Sequence, residues 1–186
     1  MIAAIVIIVV VVLLGIVLAG MYNGLVKRRN QVDNAWSQID VQLKRRHDLI
    51  PNLVEAVKDY MSYEQETLTK VTEARAAAIK AGAEGPAAQA RAENALTETL
   101  RSLFAVAENY PDLKASQNVM ALQEELTATE NKISFARQFY NDSVMAYNIK
   151  IQQMPTNIIA GMFNFTRRDF FEAPEEDREV VKVDLR

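Results

Sequence analysis

Cysteine is absent from the 186 residues and histidine occurs once, at His47. Disulfides, thiolate nucleophiles, thiolate metal ligands and multi-histidine zinc sites are therefore excluded by composition. Glycine and proline are scarce, at six and five, and no stretch alternates apolar with polar residues, which argues against a turn-rich β protein. There is no glycine-rich phosphate loop, dinucleotide fingerprint, serine elbow or metal-spaced carboxylate set. His47 and Asp48 are neighbours in sequence and point to different faces of a helix. Nothing in this pattern indicates a catalytic residue, a cofactor, a metal site or a small-molecule substrate.

Charge is missing from one long run. Residues 2–21, "IAAIVIIVVVVLLGIVLAGM", hold no charged residue, Asn or Gln. As a helix they would be roughly 30 Å long, the thickness of a bilayer's hydrocarbon core, and they lack the polar face of a soluble core helix. A cleaved secretory signal carries its cations before a shorter apolar run. Here Lys27, Arg28 and Arg29 follow the run, so residues 1–23 read as a retained transmembrane anchor. The same basic flank predicts that the carboxyl-terminal side stays in the cytoplasm.

Residues 24–58 carry seven Lys or Arg against four Asp or Glu, whereas residues 59–186 carry fourteen against twenty. The membrane-proximal part is thus the basic part, and anionic headgroups attract such residues. The acidic remainder argues against a nucleic-acid partner. Membrane lipids are the partner that the charge distribution favours.

Beyond the anchor, apolar residues recur at helical spacing. Val32, Trp36, Ile39, Leu43, Ile50, Leu53, Val57, Tyr60, Leu68, Val71, Ala74 and Ala78 describe one stripe on a helix over residues 24–81. "AGAEGP" ends it and Pro86 opens a second helix over about 87–109. Pro111 ends that one, and a third spans about 114–153 before Pro155 opens a short apolar segment, "PTNIIAGMFNF". The expected fold is all-α: a transmembrane helix followed by an antiparallel up-down bundle over residues 24–165. A charged tail over 166–186 is expected to be loosely held.

Helices of such unequal length leave the stripe from Val32 to Ile50 without a partner, and stripes of this size are seldom left bare. Pro51 offers two solutions. Proline within a helix removes a hydrogen bond and clashes with the preceding turn. The chain either reverses there, giving a self-sufficient monomeric bundle, or only kinks, leaving the stripe for neighbouring copies. The flanking residues contain no glycine or run of turn formers, which favours the kink.

Two polar features stand out. Lys44, Arg45, Arg46 and His47 read as a solvated or headgroup-facing cluster. Glu130, Arg137, Asn141 and Asn148 lie along one line of the third helix. That line is either a wet boundary row or part of a packing network with Arg45, Asn52 and Glu55 beside Pro51. Within the anchor, Gly15 and Ala19, then Gly20 and Gly24, are small residues four apart, a spacing that can promote association of spans.

Several long motifs carry a resemblance. "YNGLVKRRNQVDNAWSQIDVQLKRRHDLIPNLVEAVKDY", "EARAA", "NYPDLKASQNVMALQEELTATENKISFARQFYNDSVMAYN" and "MPTNIIAGMFNF" closely resemble the LemA family of bacterial membrane proteins. The matching positions include Arg45, Leu49, Pro51, Asn52, Leu53, Glu130, Asn131, Arg137, Tyr140 and Asn141. The resemblance implies a single-pass protein of the bacterial cytoplasmic membrane with a short outside amino terminus and a cytoplasmic helical bundle. It implies no activity, since the family's molecular function is unsettled. The expected function is non-enzymatic: a membrane-anchored, homo-oligomeric, coiled-coil-like scaffold that organises membrane or envelope proteins. The alternative is an adaptor for a distinct membrane protein such as a protease or transporter.

Overall fold

A computed structural model describes residues 1–172, apart from the Lys114 side chain. Those residues form six helices and no strand: α1 (Ile2–Lys58), α2 (Gln65–Ala81), α3 (Pro86–Ala107), α4 (Pro111–Ala115), α5 (Gln117–Gln152) and α6 (Thr156–Met162). The expected all-α class with an apolar amino-terminal helix is what the chain adopts. It divides into two compact units, Met1–Gln38 with Gln138–Asp169, and Ile39–Arg137 with residues 170–172.

α1 runs without interruption through Pro51, so the chain does not reverse there. It also does not continue to residue 81, as the stripe suggested. Reversal comes over residues 59–64, where the Tyr60 and Met61 amides donate to the Val57 carbonyl and Met61 turns fully inward. "DYMSYE" has neither glycine nor proline, and Val57, Met61 and Leu68 keep helical phase across it, which hid the turn. A local cue was present: Ser62 precedes Gln65 by three, the spacing of a helix amino-terminal capping pattern. The Gln65 side-chain amide does reach back, though to the Ser62 carbonyl, at 3.4 Å.

Proline explains how the second unit starts. Without an N–H, Pro51 leaves the carbonyl four residues earlier, that of His47, without its helical partner. Arg75 Nε of α2 donates to that carbonyl at 2.6 Å. Because His47 lies eleven residues before the end of α1 and Arg75 ten after the start of α2, the pairing makes the two helices antiparallel.

α3 then returns along α2 after a turn in which Gly85, at φ +103°, adopts a conformation that disfavours side chains. Tyr110 is extended before Pro111, as a residue preceding proline tends to be, and short α4 leads into α5. Thr97 meets Glu130 and Asn94 meets Arg137, so α5 runs antiparallel to α3. The second unit is therefore an up-down four-helix arrangement. Its core joins Ile50, Leu53 and Val57 to Leu68 and Val71, Leu96 and Leu103, and Leu126. Ile39, Leu43 and Ile50 are buried within the single chain, which corrects the expectation that this stretch stays bare.

In the first unit, Leu25, Val32 and Ala35 of α1 and Val144, Tyr147 and Ile151 of α5 are buried, with Ile159 and Phe165 closing the end. Trp36 packs on Tyr140 with ring centroids 5.2 Å apart. Residues 2–18 are exposed along their whole length in an unbroken helix, as a candidate membrane span would be in the absence of lipid.

The beginning of the expected loose tail is held in place. Asn148 Nδ2 donates to the Arg168 carbonyl and its Oδ1 accepts from the Arg168 amide, both at 2.9 Å. Tyr140 donates its hydroxyl to the Asp169 carbonyl at 2.9 Å. In the second unit Phe171 is fully buried under the Arg137 guanidinium, 5.0 Å from the ring centre. Residues 166–172 thus belong to packed structure, and the rest of the expected tail, 173–186, lies outside the described residues.

The Pro51 and Arg75 roles make a paired prediction. Arg75→Ala leaves the His47 carbonyl unpaired and is expected to cost about 1–3 kcal/mol of stability in the detergent-solubilised chain. In a Pro51→Ala background the cost should shrink, because the new N–H can bond the same carbonyl. Equal losses in both backgrounds would sink this account.

Candidate functional site, a buried charged centre

The turn of α1 before Pro51 carries the centre. Arg46 lies seven residues from both Ile39 and Leu53, so helical phase places it on the buried stripe itself. It is 1% exposed, making it the largest of the fully buried side chains. Glu93 occupies the same kind of position on α3, between Gln89 and Leu96, and is 0% exposed. Two opposite charges on two apolar stripes can share an interior only by pairing.

They pair through several bonds. Arg46 Nη2 donates to Glu93 Oε2 and to the Glu93 carbonyl at 3.4 Å. Arg46 Nη1 donates to Glu130 Oε2 of α5 at 2.5 Å and to Thr97 Oγ at 3.0 Å. The single Thr97 hydroxyl hydrogen is within reach of either the Glu93 carbonyl, at 3.1 Å, or Glu130 Oε1, at 3.2 Å. His47 Nε2 is 2.9 Å from Glu93 Oε1. An ionised carboxylate only accepts hydrogen bonds, so Nε2 is the nitrogen that bears the hydrogen.

Burial is the largest influence on the Glu93 carboxyl and pushes its pKa up. The His47 hydrogen bond and the Arg46 and His47 contacts together outweigh it, and the carboxyl sits below its ordinary value. Arg137, 3.1 Å from Asn94 Oδ1 through Nη1, has its pKa lowered chiefly by burial, with Glu130 opposing. In the first unit, burial raises the Tyr140 phenol to about 12, so it is a hydrogen-bond donor at neutral pH.

The expected packing network is rearranged accordingly. Glu130 does bind α1, but through Arg46 rather than Arg45. Arg45 pairs with Glu125 at the surface, at 2.5 Å. Asn52 and Glu55 are exposed, Glu55 lying 3.9 Å from Lys58, and Pro51 is exposed on the outer face of α1. Arg137 and Asn148 make separate clamps, and Asn141 is half-buried. The solvated cluster is corrected too. Lys44 and Arg45 face out, whereas Arg46 and His47 face in, because four consecutive residues span a full helical turn and cannot all lie on one face. Sequence reasoning put Arg46 and His47 on the wrong face and missed Arg75, Glu93 and Thr97, although the phase of Arg46 and Glu93 on their apolar stripes was a usable cue.

A recess of 180 Å³ adjoins the centre, lined by Arg46, Thr97, Glu130 and Asn131 with Leu100 and Leu126. Arg46 is already engaged by two carboxylates, and His47 Nε2 by one of them. Among the described residues no three His, Asp or Glu side chains gather as a metal site. The arrangement can lock three helices in register. It holds no nucleophile next to a free base.

An all-α chain with one candidate membrane span, joined by a continuous helix to a bundle with a buried charge cluster, defines a class of membrane-associated helical proteins. The chain belongs to the LemA family, whose profile matches residues 35–185. It is similar to Protein LemA of Metamycoplasma hominis, with 29% identity over 167 residues that cover 89% of this chain and 75% of the relative. It is also similar to Magnetosome protein MamQ 2 of Paramagnetospirillum magneticum, 24% identical over 189 residues, covering 88% and 70%. Magnetosome protein MamQ of Magnetospirillum gryphiswaldense is 23% identical over 185 residues, covering 86% and 68%.

Because the Glu93 carboxyl is more acidic in the folded chain than in the unfolded one, the unfolded state binds the proton first as pH falls. The stabilisation it gives is complete above its ordinary value of 4.5 and is lost as pH drops through the lower folded value. Glu93→Gln should therefore be less stable at pH 7 and show a flatter loss of stability on acidification. A variant with the parental acid dependence would contradict this.

Proposed function

We propose that the chain is a non-enzymatic, membrane-anchored helical scaffold that self-associates and organises membrane or envelope proteins from the cytoplasmic face. One observation carries this reading. The apolar run and the bundle share a single uninterrupted helix, α1, and both terminal nitrogens of Arg46 on that helix bond to side chains of α3 and α5. Such bonds hold helices to one another rather than mount a reacting group. Family membership and the likeness to magnetosome proteins support a membrane-associated role.

Lys27, Arg28 and Arg29 support a cytoplasmic bundle on an inner-membrane anchor. Self-association draws no support from the α1 stripe, which is covered. It draws support from exposed apolar side chains on α5, Phe139 and Met145 in the first unit and Phe135 in the second. Phe135, 74% exposed, is the strongest of these, since a large aromatic facing outward from a helix is the kind of side chain a partner helix covers. Gly15 and Ala19 support a second contact inside the bilayer.

Full-length protein in nanodiscs is expected to have the mass of a defined multimer, and Phe135→Ser with Phe139→Ser to reduce it to fewer copies at unchanged helical content. Wild-type protein that stays monomeric at high concentration would overturn the self-association reading. Crosslinks from position 135 that capture a different membrane protein would instead favour the adaptor.

A further inference from the structure

A groove of 650 Å³ lies in the first unit between α1 and α5, lined by Gly24, Lys27, Arg28 and Gln31 on one side and by Ala146, Ile149, Lys150 and Gln153 on the other. Among the described residues, three cations and two amides border it and no carboxylate does. Of the acidic residues closest in sequence, Asp33 is engaged by Arg168 at 3.2 Å and Asp142 lies a helical turn before Ala146. The groove is open because small residues stand at its walls: a side chain begun at Gly24 would meet nothing within 4 Å.

Its position along α1 decides what it can hold. Residues 24–31 begin three residues after the apolar run ends, so they lie roughly 5–15 Å beyond it along the axis, at the level of lipid headgroups. The end of the same unit is marked by rings: Phe163 and Phe165 pack on Tyr22, with centroids 4.8 and 5.8 Å away. Met154, next to Gln153, and Met162 and Phe163 of the α6 end are exposed apolar side chains. Aromatic and apolar side chains next to a span are characteristic of a membrane interface.

We propose that this groove binds the phosphate of an anionic phospholipid, held by Lys27, Arg28 and Lys150, with Gln31 and Gln153 donating to the remaining oxygens. This goes beyond diffuse attraction of a basic flank to a charged surface. Lys150 comes from α5, more than a hundred residues away in sequence, and lines the same groove as Lys27 and Arg28. The inference rests on residues 2–21 spanning the membrane.

Native mass spectrometry of the full-length protein in detergent, titrated with phosphatidylglycerol or phosphatidylcholine, tests it. One phosphatidylglycerol per chain should be retained in preference to phosphatidylcholine. Lys150→Gln should weaken that preference by about fivefold, Lys150→Arg should keep it, and exposed Lys132→Gln should leave it unchanged. Gly24→Leu fills the groove without altering charge and should also abolish the preference. If Lys150→Gln weakens retention but Gly24→Leu does not, only diffuse attraction is present and the site is overturned. Equal retention of the two lipids overturns it as well. Displacement by inorganic phosphate at concentrations matching the lipid would mean a free-phosphate site and overturn the lipid assignment. Failure of the wild-type chain to float with phosphatidylcholine vesicles would overturn the span itself, an outcome read separately from lipid selectivity.

Discussion

The buried Arg46 guanidinium is the constraint on which the second unit depends. A guanidinium cannot shed its charge, so a helix that turns one inward requires carboxylates at fixed places on its neighbours. Glu93 of α3 and Glu130 of α5 supply them, and a planar fork of donors accepts only a narrow range of helix registers. Apolar contacts among Leu53, Leu96 and Leu103 tolerate sliding far better than this geometry does. The leucines thus provide most of the burial, and Arg46 decides which of several similar packings is adopted.

The adjacent residues extend the same logic. His47 presents its ring to Glu93 and its backbone carbonyl to Arg75, and the carbonyl is available because Pro51 has no N–H to offer it. A proline that would ordinarily end a helix here frees one acceptor, and that acceptor fixes α2 against α1. Within about one and a half helical turns, α1 is bonded to α2 by a backbone oxygen, to α3 by an ion pair and to α5 by another. The helix can remain unbroken from the apolar run to Lys58 because its interruption is satisfied from outside.

Features written in long runs or in prolines were legible in the sequence. The span, its basic flank, the start of α3 at Pro86 and the break at Pro111 all follow from a single residue type or from twenty residues acting together. The turn after Lys58 left only the Ser62–Gln65 spacing as a cue, since apolar phase carries through it and no glycine or proline marks it. The charged centre was half legible. Glu130 and the neighbourhood of Pro51 were singled out, but a run of four basic residues concealed that only Arg46 and His47 lie on the inward face. Partner identity was beyond reach, since Glu93 and Arg75 are distant in sequence and are selected by packing. The fixed segment from Thr166 to Phe171 was hidden for a related reason. Its charged composition resembles a solvated tail, while Asn148 and Tyr140 bind its backbone, which composition does not reveal.

A double-mutant cycle on Arg46 and Glu93 in the detergent-solubilised full-length chain tests this account most directly. Arg46→Met and Glu93→Leu should each destabilise by about 3–5 kcal/mol, because each takes a partner from a buried charge. The double variant should recover a large part of the loss, giving a coupling of at least about 2 kcal/mol. Losses that simply add would contradict the claim that this ion pair sets the register of the bundle.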